Sequence, residues 1–327
     1  MRTAVVGFFR TAPETTSMTP KIDVCIATYK RPQLLKKLLV SVLSQQTAGE
    51  FTFTVIVADN DAQRSAEPVV RELNASGEKI IYAVEPQQNI SLARNKALSF
   101  ATGDYIATID DDEYADSHWL LNLYRTMLAH RADVVFGPVA PCFHANTPDY
   151  IKNSRAFRLP DPPTGSTENY VPATGNSLFR RALVQYIAGP FDPGFGRTGG
   201  GDTAFFETIR KQGPTRVWCR EALVFEFVPP ERTTWRWILQ REFCRGNIYY
   251  RVYDRGHVNP RLSRAGKTLV LGKKVVKLCC PVPLYIIRGL FNVQYAVKAI
   301  ERLRSCAFYA GMIAHFLGFQ YVAYRGQ

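Results

Sequence analysis

The sequence predicts an α/β fold with a mostly parallel sheet flanked by helices, followed by a basic helical region of different character. Three observations carry that expectation. Short apolar runs alternate with stretches of helical spacing from Ile22 to Val139, the pattern of β-α-β units. Acids stand at two strand ends, Asp59 and Asp110-Asp111-Asp112-Glu113, and right-handed crossovers bring such ends to one sheet edge. Residues 228–327 hold 17 Lys and Arg against 4 Asp and Glu, whereas residues 1–227 hold 24 of each sign. The whole net charge of +13 therefore sits in the last hundred residues.

The elements follow in order. Residues 1–20 read as a polar, poorly ordered lead-in; Ala4–Phe9 is the only apolar run there and is too short for a signal-peptide core. Ile22–Thr28 is a buried-strand run, and Pro32 opens a helix with Leu34, Leu35, Leu38, Leu39, Val42 and Leu43 at helical spacing. Strand character returns at Phe53–Ala58, Lys79–Val84, Gly103–Ile109 and Asp133–Val139. The helices between them are expected at Ser65–Asn74, Ser91–Phe100 and Ser117–His130. Pro141–Pro172 is rich in Pro, Asp, Asn and Thr and reads as loop. Three glycines then precede Asp202, which opens a helical run with Phe205, Phe206 and Ile209. Such glycines suit a backbone that comes close to something bound.

From Pro229 onward, tryptophans and arginines interleave. Two weakly hydrophobic stretches follow, Thr268–Phe291 and Ser305–Tyr324. Basic residues among aromatics fit helices lying in a membrane interface better than helices spanning it. A neutral body with a basic end points to an anionic surface, and no nucleic-acid-binding module is recognisable. Seven cysteines, an odd count without a C-x-x-C pair, indicate neither a disulfide framework nor a zinc site and fit a reducing compartment. The domains expected are 21–228, the α/β body, and 229–327, the basic region.

Four consecutive acids repel one another and need a reason. A solvated turn ahead of a helix is one. A hard cation such as Mg²⁺ or Mn²⁺, shared with substrate phosphates at a strand's carboxyl end, is the other.

Several stretches, in this order, resemble glycosyltransferase family 2, the inverting transferases with the GT-A fold. They are Val24–Pro32, Val57-Ala58-Asp59-Asn60, Asn89–Asn95, Asp110–Glu113 and Gly199-Gly200-Gly201-Asp202. Ala58–Asp61, Asn89-Ile90-Ser91 and Val228–Thr233 narrow the likeness to bacterial exopolysaccharide transferases of the succinoglycan type. The resemblance implies roles. Asp59 would read the uracil N3–H, with Thr28 on the same nucleotide wall, and Arg94 would donate to the uracil or the diphosphate. Asp110 would face the ribose and join Asp112 at a Mg²⁺ or Mn²⁺ ion, with Asp111 beside them on the nucleotide-sugar side and Glu113 supporting. Asp202 would be the general base, and Glu226 stands where a later metal ligand could come. The relatives' acidic pair at the base is reduced here to Asp202, because Gly201 precedes it.

The function implied is transfer of a hexose, glucose from UDP-glucose in a β-linkage, to a lipid-linked oligosaccharide at the cytoplasmic face of the cell membrane. Three other readings are weaker. A processive synthase would show Q-x-x-R-W, but Thr233 stands where Gln is needed before Arg236-Trp237. A nucleotidyltransferase would show a Gly-rich loop where Tyr29–Pro32 stands. A non-enzymatic scaffold would not need the acidic motif or Asp202.

Overall fold

The computed structural model describes residues 19–77, 80–170, 172–253 and 263–319. In chain order its first half runs β1 (Lys21–Thr28), α1 (Pro32–Leu43), β2 (Thr52–Asp59), α2 (Glu67–Ala75), β3 (Ile80–Val84), α3 (Ile90–Ser99), β4 (Tyr105–Thr108), β5 (Glu113–Ala115), α4 (Trp119–Ala129), β6 (Val134–Phe136), β7 (Val139–Phe143) and α5 (Asp149–Lys152). After it come β8 (Ser177–Arg180), α6 (Gly201–Arg210), β9 (Arg216–Trp218), β10 (Val224–Val228), α7 (Trp235–Tyr253), α8 (Arg264–Cys279), α9 (Val282–Gly289) and α10 (Val293–Phe316).

A seven-stranded sheet has the order β3-β2-β1-β4-β8-β6-β9. β1, β2, β3 and β4 are parallel, and β8 runs antiparallel to β4 and β6. Alternation along β1 explains the two covered faces. Ile22, Val24 and Ile26 join one apolar cluster with Leu35, Leu38, Leu39 and Val42 of α1 and Trp119 of α4. Cys25 joins the other, with Ala93 and Ala97 of α3 and Phe205, Phe206 and Ile209 of α6. Burying each large side chain contributes about 1.5–3 kcal/mol. The parallel register aligns Thr28 with Asp59, so the strand ends that carry polar groups share one edge.

The structure differs from the sequence expectation in two places. The strand expected over Asp133–Val139 breaks at Gly137-Pro138: β6 stays in the large sheet, and β7 joins a three-stranded sheet of order β5-β10-β7. The first residues of the expected Pro141–Pro172 loop lie in β7, and α5 sits inside that stretch. Asn176 ties the two sheets together. Its side chain accepts from Trp119 Nε1 and donates to the carbonyls of Pro138 and Ala222. The lead-in up to Met18, Lys79 and the end of the Ser305–Tyr324 stretch lie outside the described residues.

Beyond β10, α10 is a spine against which α7, α8 and α9 pack. Gly246 and Gly311 let α7 and α10 cross at backbone distance. A Cβ on Gly246 would collide with the Phe308 carbonyl oxygen, and one on Gly311 with that of Phe243. No helix among the described residues is long and apolar enough to cross a membrane. Gly246→Ala is therefore expected to destabilise the protein by about 1–3 kcal/mol. Gly272→Ala, with nothing within 4 Å of the added carbon, should leave it unchanged or raise stability by up to about 1 kcal/mol. Thermal unfolding of the two variants checks the contrast.

Candidate active site

The carboxyl ends of β1 and β4 build the floor of the site. Thr28 closes β1, and its hydroxyl donates to Asp111 Oδ2 at 2.8 Å. One residue past the αL turn at Lys30 (φ 53°), Arg31 Nη1 reaches Asp111 Oδ1 at 3.0 Å and Asp112 Oδ2 at 3.1 Å. Glu113 braces the acidic turn from below. Its Oε2 accepts from the Asp110 amide at 2.8 Å, and its own amide donates back to the Asp110 carbonyl. Burial holds the Glu113 carboxyl well above its usual range, with Asp110 adding to the effect. Asp111 is also raised, chiefly by burial, against the opposing charge of Arg31.

Arg94 projects from α3 between two carboxylates. Nη1 meets Asp202 Oδ1 at 2.5 Å, and Nη2 meets Asp110 Oδ1 at 3.0 Å. Burial pushes the Asp110 carboxyl up to about 6; Arg94 opposes this, and Asp202 and Asp112 add to it. Asp202 lies in the first turn of α6, whose N-cap is Gly200 at φ 88°. The loop before it is clamped from two sides. On α3, Asn95 exchanges two hydrogen bonds with the Phe191 backbone, and Asn89 donates to the Pro193 carbonyl while capping its own helix. On α7, Arg251 donates to Thr198 Oγ1 at 2.7 Å and stacks over Phe195.

These elements enclose an open cleft of about 490 Å³. Its floor carries Thr28, Arg94, Asp110, Asp111, Asp112 and Asp202. The far wall is α7 with the turn before it: Arg232, Trp237, Gln240, Arg241 and Cys244 all line the cleft. Arg232 Nη1 pairs with Glu226 Oε1 at 2.8 Å and lies 3.5 Å from Asp112 Oδ2. Asp112 thus receives guanidinium groups from two walls. The 228/229 boundary expected from composition runs through this lining.

Comparison with known proteins gives the family and the fold. The family model described as glycosyl transferase family 2 matches residues 23–187. Succinoglycan biosynthesis protein ExoM of Rhizobium meliloti (strain 1021) is 31% identical over 310 residues, 94% of this chain and 96% of its own length. The chain belongs to glycosyl transferase family 2. Among solved structures, the mannosyltransferase PcManGT from Pyrobaculum calidifontis, in complex with GDP-Man and Mn²⁺, superposes with a TM-score of 0.61 at 16% identity, covering 91% of this chain and 88% of that one. S. aureus TarS 1–349 in complex with UDP gives 0.51 at 15% identity, covering 91% and 92%. At those identities the likeness shows the GT-A fold.

Within this transferase, the sequence-expected residues divide. Thr28, Arg94, Asp110, Asp111, Asp112 and Asp202 line the cleft together, and Glu226 borders it. Asp59 does not. It is fully buried, and its oxygens accept from the amides of Asp61 and Ala66 and from the Tyr82 hydroxyl. Its carboxylate holds three donors inside the fold, and the neighbouring Asn60 is the residue of this turn that lines the cleft. One of the glycines before Asp202 also has a partner within the fold: a Cβ on Gly200 would collide with Ile248 of α7.

Nothing in the sequence alone places Arg31, Arg232 or Arg241 in the cleft. Arg31 belongs to the Val24–Pro32 stretch, but nothing local says that its side chain turns to the acids, and the arginines past 229 are hidden in a generally basic region. Asn89→Ala, which removes a cap and the Pro193 contact, is expected to cost about 1–2 kcal/mol. It should also lower turnover more than donor affinity, which denaturant unfolding and steady-state kinetics on one variant would read.

Proposed function

We propose that this transferase moves a hexose from a nucleotide sugar, with UDP-glucose the preferred donor, onto a lipid-linked oligosaccharide in exopolysaccharide synthesis, inverting the anomeric centre. The observation that carries the reading is the single guanidinium of Arg94 spanning Asp110 and Asp202. It puts the donor-binding strand end and a candidate base side by side in one cleft. The assignment to exopolysaccharide rests on the relative named for succinoglycan biosynthesis. UDP in TarS and GDP-Man with Mn²⁺ in PcManGT belong to those proteins and support a nucleotide-sugar donor here.

Thr28, Asp111 and Asn60 form the nucleotide wall, and Asp59 acts beneath it by fixing the turn that carries Asn60. The cation expected is Mg²⁺ or Mn²⁺, held by Asp112 and Asp110. The donor set fits: hard carboxylate oxygens at a strand end, with Glu226 nearby. Among the described residues no three His, Cys, Asp or Glu side chains gather as a cage. Mg²⁺-type sites commonly use one or two carboxylates plus substrate phosphates, so a cage is not required. When bound, the ion neutralises charge gathering on the departing nucleoside diphosphate.

Asp202 accepts the proton of the acceptor hydroxyl as its oxygen bonds to the anomeric carbon and the bond to the diphosphate breaks. Arg94 fixes Asp202 Oδ1 and is positioned to follow negative charge toward the diphosphate. Attack from the side opposite the leaving group converts an α-linked donor into a β-glycoside. The basic C-terminal region holds the enzyme at the cytoplasmic face of the cell membrane, where a lipid-linked acceptor would be met.

Asp202→Asn should lower transfer by about 10²–10⁴-fold while UDP-glucose with Mn²⁺ still raises the unfolding temperature. Asp112→Asn should lose that metal-dependent rise and transfer together. Near-normal turnover by either variant, or protection by no UDP-sugar, overturns the reading.

A further inference from the structure

Exposed apolar side chains concentrate in the C-terminal helices and the turns beside them. Of the sixteen large ones among the described residues, eleven lie between Leu269 and Phe319, so the enrichment is local and not the scatter normal for a surface. On α8, Leu269, Lys273, Val276 and Cys280 follow helical spacing along its solvent side, while Leu271 is fully buried on the other. On α9, Leu284 and Ile287 lead into Leu290 and Phe291, exposed by 78% and 88% at the turn into α10, while Val282 is buried. Both helices pack on α10.

The charge pattern selects the partner. Residues 263–300 hold seven Lys and Arg and no Asp or Glu. Lys267 and Lys274 turn inward over the rings of Tyr250 and Tyr309. Lys273, Lys277, Arg288 and Lys298 are exposed.

We propose that the outer faces of α8 and α9, with the Leu290-Phe291 turn between α9 and α10, form a monotopic docking surface for an anionic lipid bilayer. Aliphatic side chains enter the acyl boundary, and the surrounding ammonium and guanidinium groups meet lipid phosphates. Spanning is excluded for these two helices by length. The sixteen residues of α8 reach about 24 Å, short of the roughly 30 Å hydrocarbon layer, and Pro281 and Pro283 separate α8 from the body of α9.

A second copy of this chain is the other candidate occupant. A two-fold contact sets the same patch against itself, which here would oppose cations with no acid in 263–300 to pair them. The proposal deepens the proposed function and rests on it only for the lipid-linked acceptor.

The test is co-sedimentation of the full chain with phosphatidylcholine vesicles, with and without phosphatidylglycerol, at low and high salt. Size-exclusion chromatography and donor-sugar hydrolysis are run on the same preparations. Wild type should bind the anionic vesicles and release with salt. Leu290→Ser/Phe291→Ser should bind at least about tenfold more weakly at unchanged hydrolysis. Lys273→Glu/Lys277→Glu should lose the preference for phosphatidylglycerol. Absence of wild-type binding, equal binding by the serine variant, or a wild-type dimer that the serine variant dissolves would overturn the proposal. Vesicle binding without any sugar-nucleotide hydrolysis would leave the docking surface standing and remove the proposed function.

Discussion

The arrangement of the cleft depends on one arginine. Arg94 joins Asp110, at the end of a sheet strand, to Asp202, at the start of α6. Without it the two carboxylates would stand near each other with no cation between them, in a cleft that already raises the Asp110 carboxyl to about 6 through burial. The surrounding architecture keeps this bridge in place. Asn89 and Asn95 pin the preceding loop to the helix that carries Arg94, and Arg251 pins it to α7. The same pattern recurs at Asp112, which meets Arg31 and Arg232. Asp110, Asp111, Asp112 and Asp202 are thus paired with arginines of the chain itself, and the diphosphate of the proposed donor would offer those arginines an alternative anion.

The C-terminal helices are part of that site as well as an appendage to it. α7 supplies one wall of the cleft and also packs against α10, on which α8 and α9 rest. The glycines at the α7–α10 crossing allow backbone contact, so a surface held by α8 and α9 is linked to the α7 wall of the cleft through closely packed helices. Under the proposed docking on a lipid bilayer, such a link would let the orientation at the membrane fix the orientation of the cleft.

Much of the fold was legible because apolar periodicity is a local signal. β1, α1, β2, α3 and β4 appear within a few residues of their expected bounds. What was not legible depends on distant partners. The break at Gly137-Pro138 reflects a second sheet assembled with β10, and β8 is a four-residue strand whose neighbours are remote in sequence. In the site, acids at strand ends were visible as clusters, and their convergence followed from parallel topology. Which of them faces solvent was not: Asp59 looks like any strand-end acid until Tyr82 and the turn amides are seen to consume it. Arg31 and Arg232 lie far apart in sequence from Asp112, and only tertiary structure brings them to it.

An acidic site neutralised by its own arginines should bind metal and nucleotide as a linked pair, each raising the affinity of the other by the same factor. Calorimetric titration of Mn²⁺ into the protein, with and without saturating UDP, measures that coupling directly. Weak Mn²⁺ binding alone, strengthened at least about fivefold by UDP and lost in Asp112→Asn, is the expected result. Equal Mn²⁺ affinity with and without UDP, or UDP binding unchanged by chelation of the metal, would contradict it.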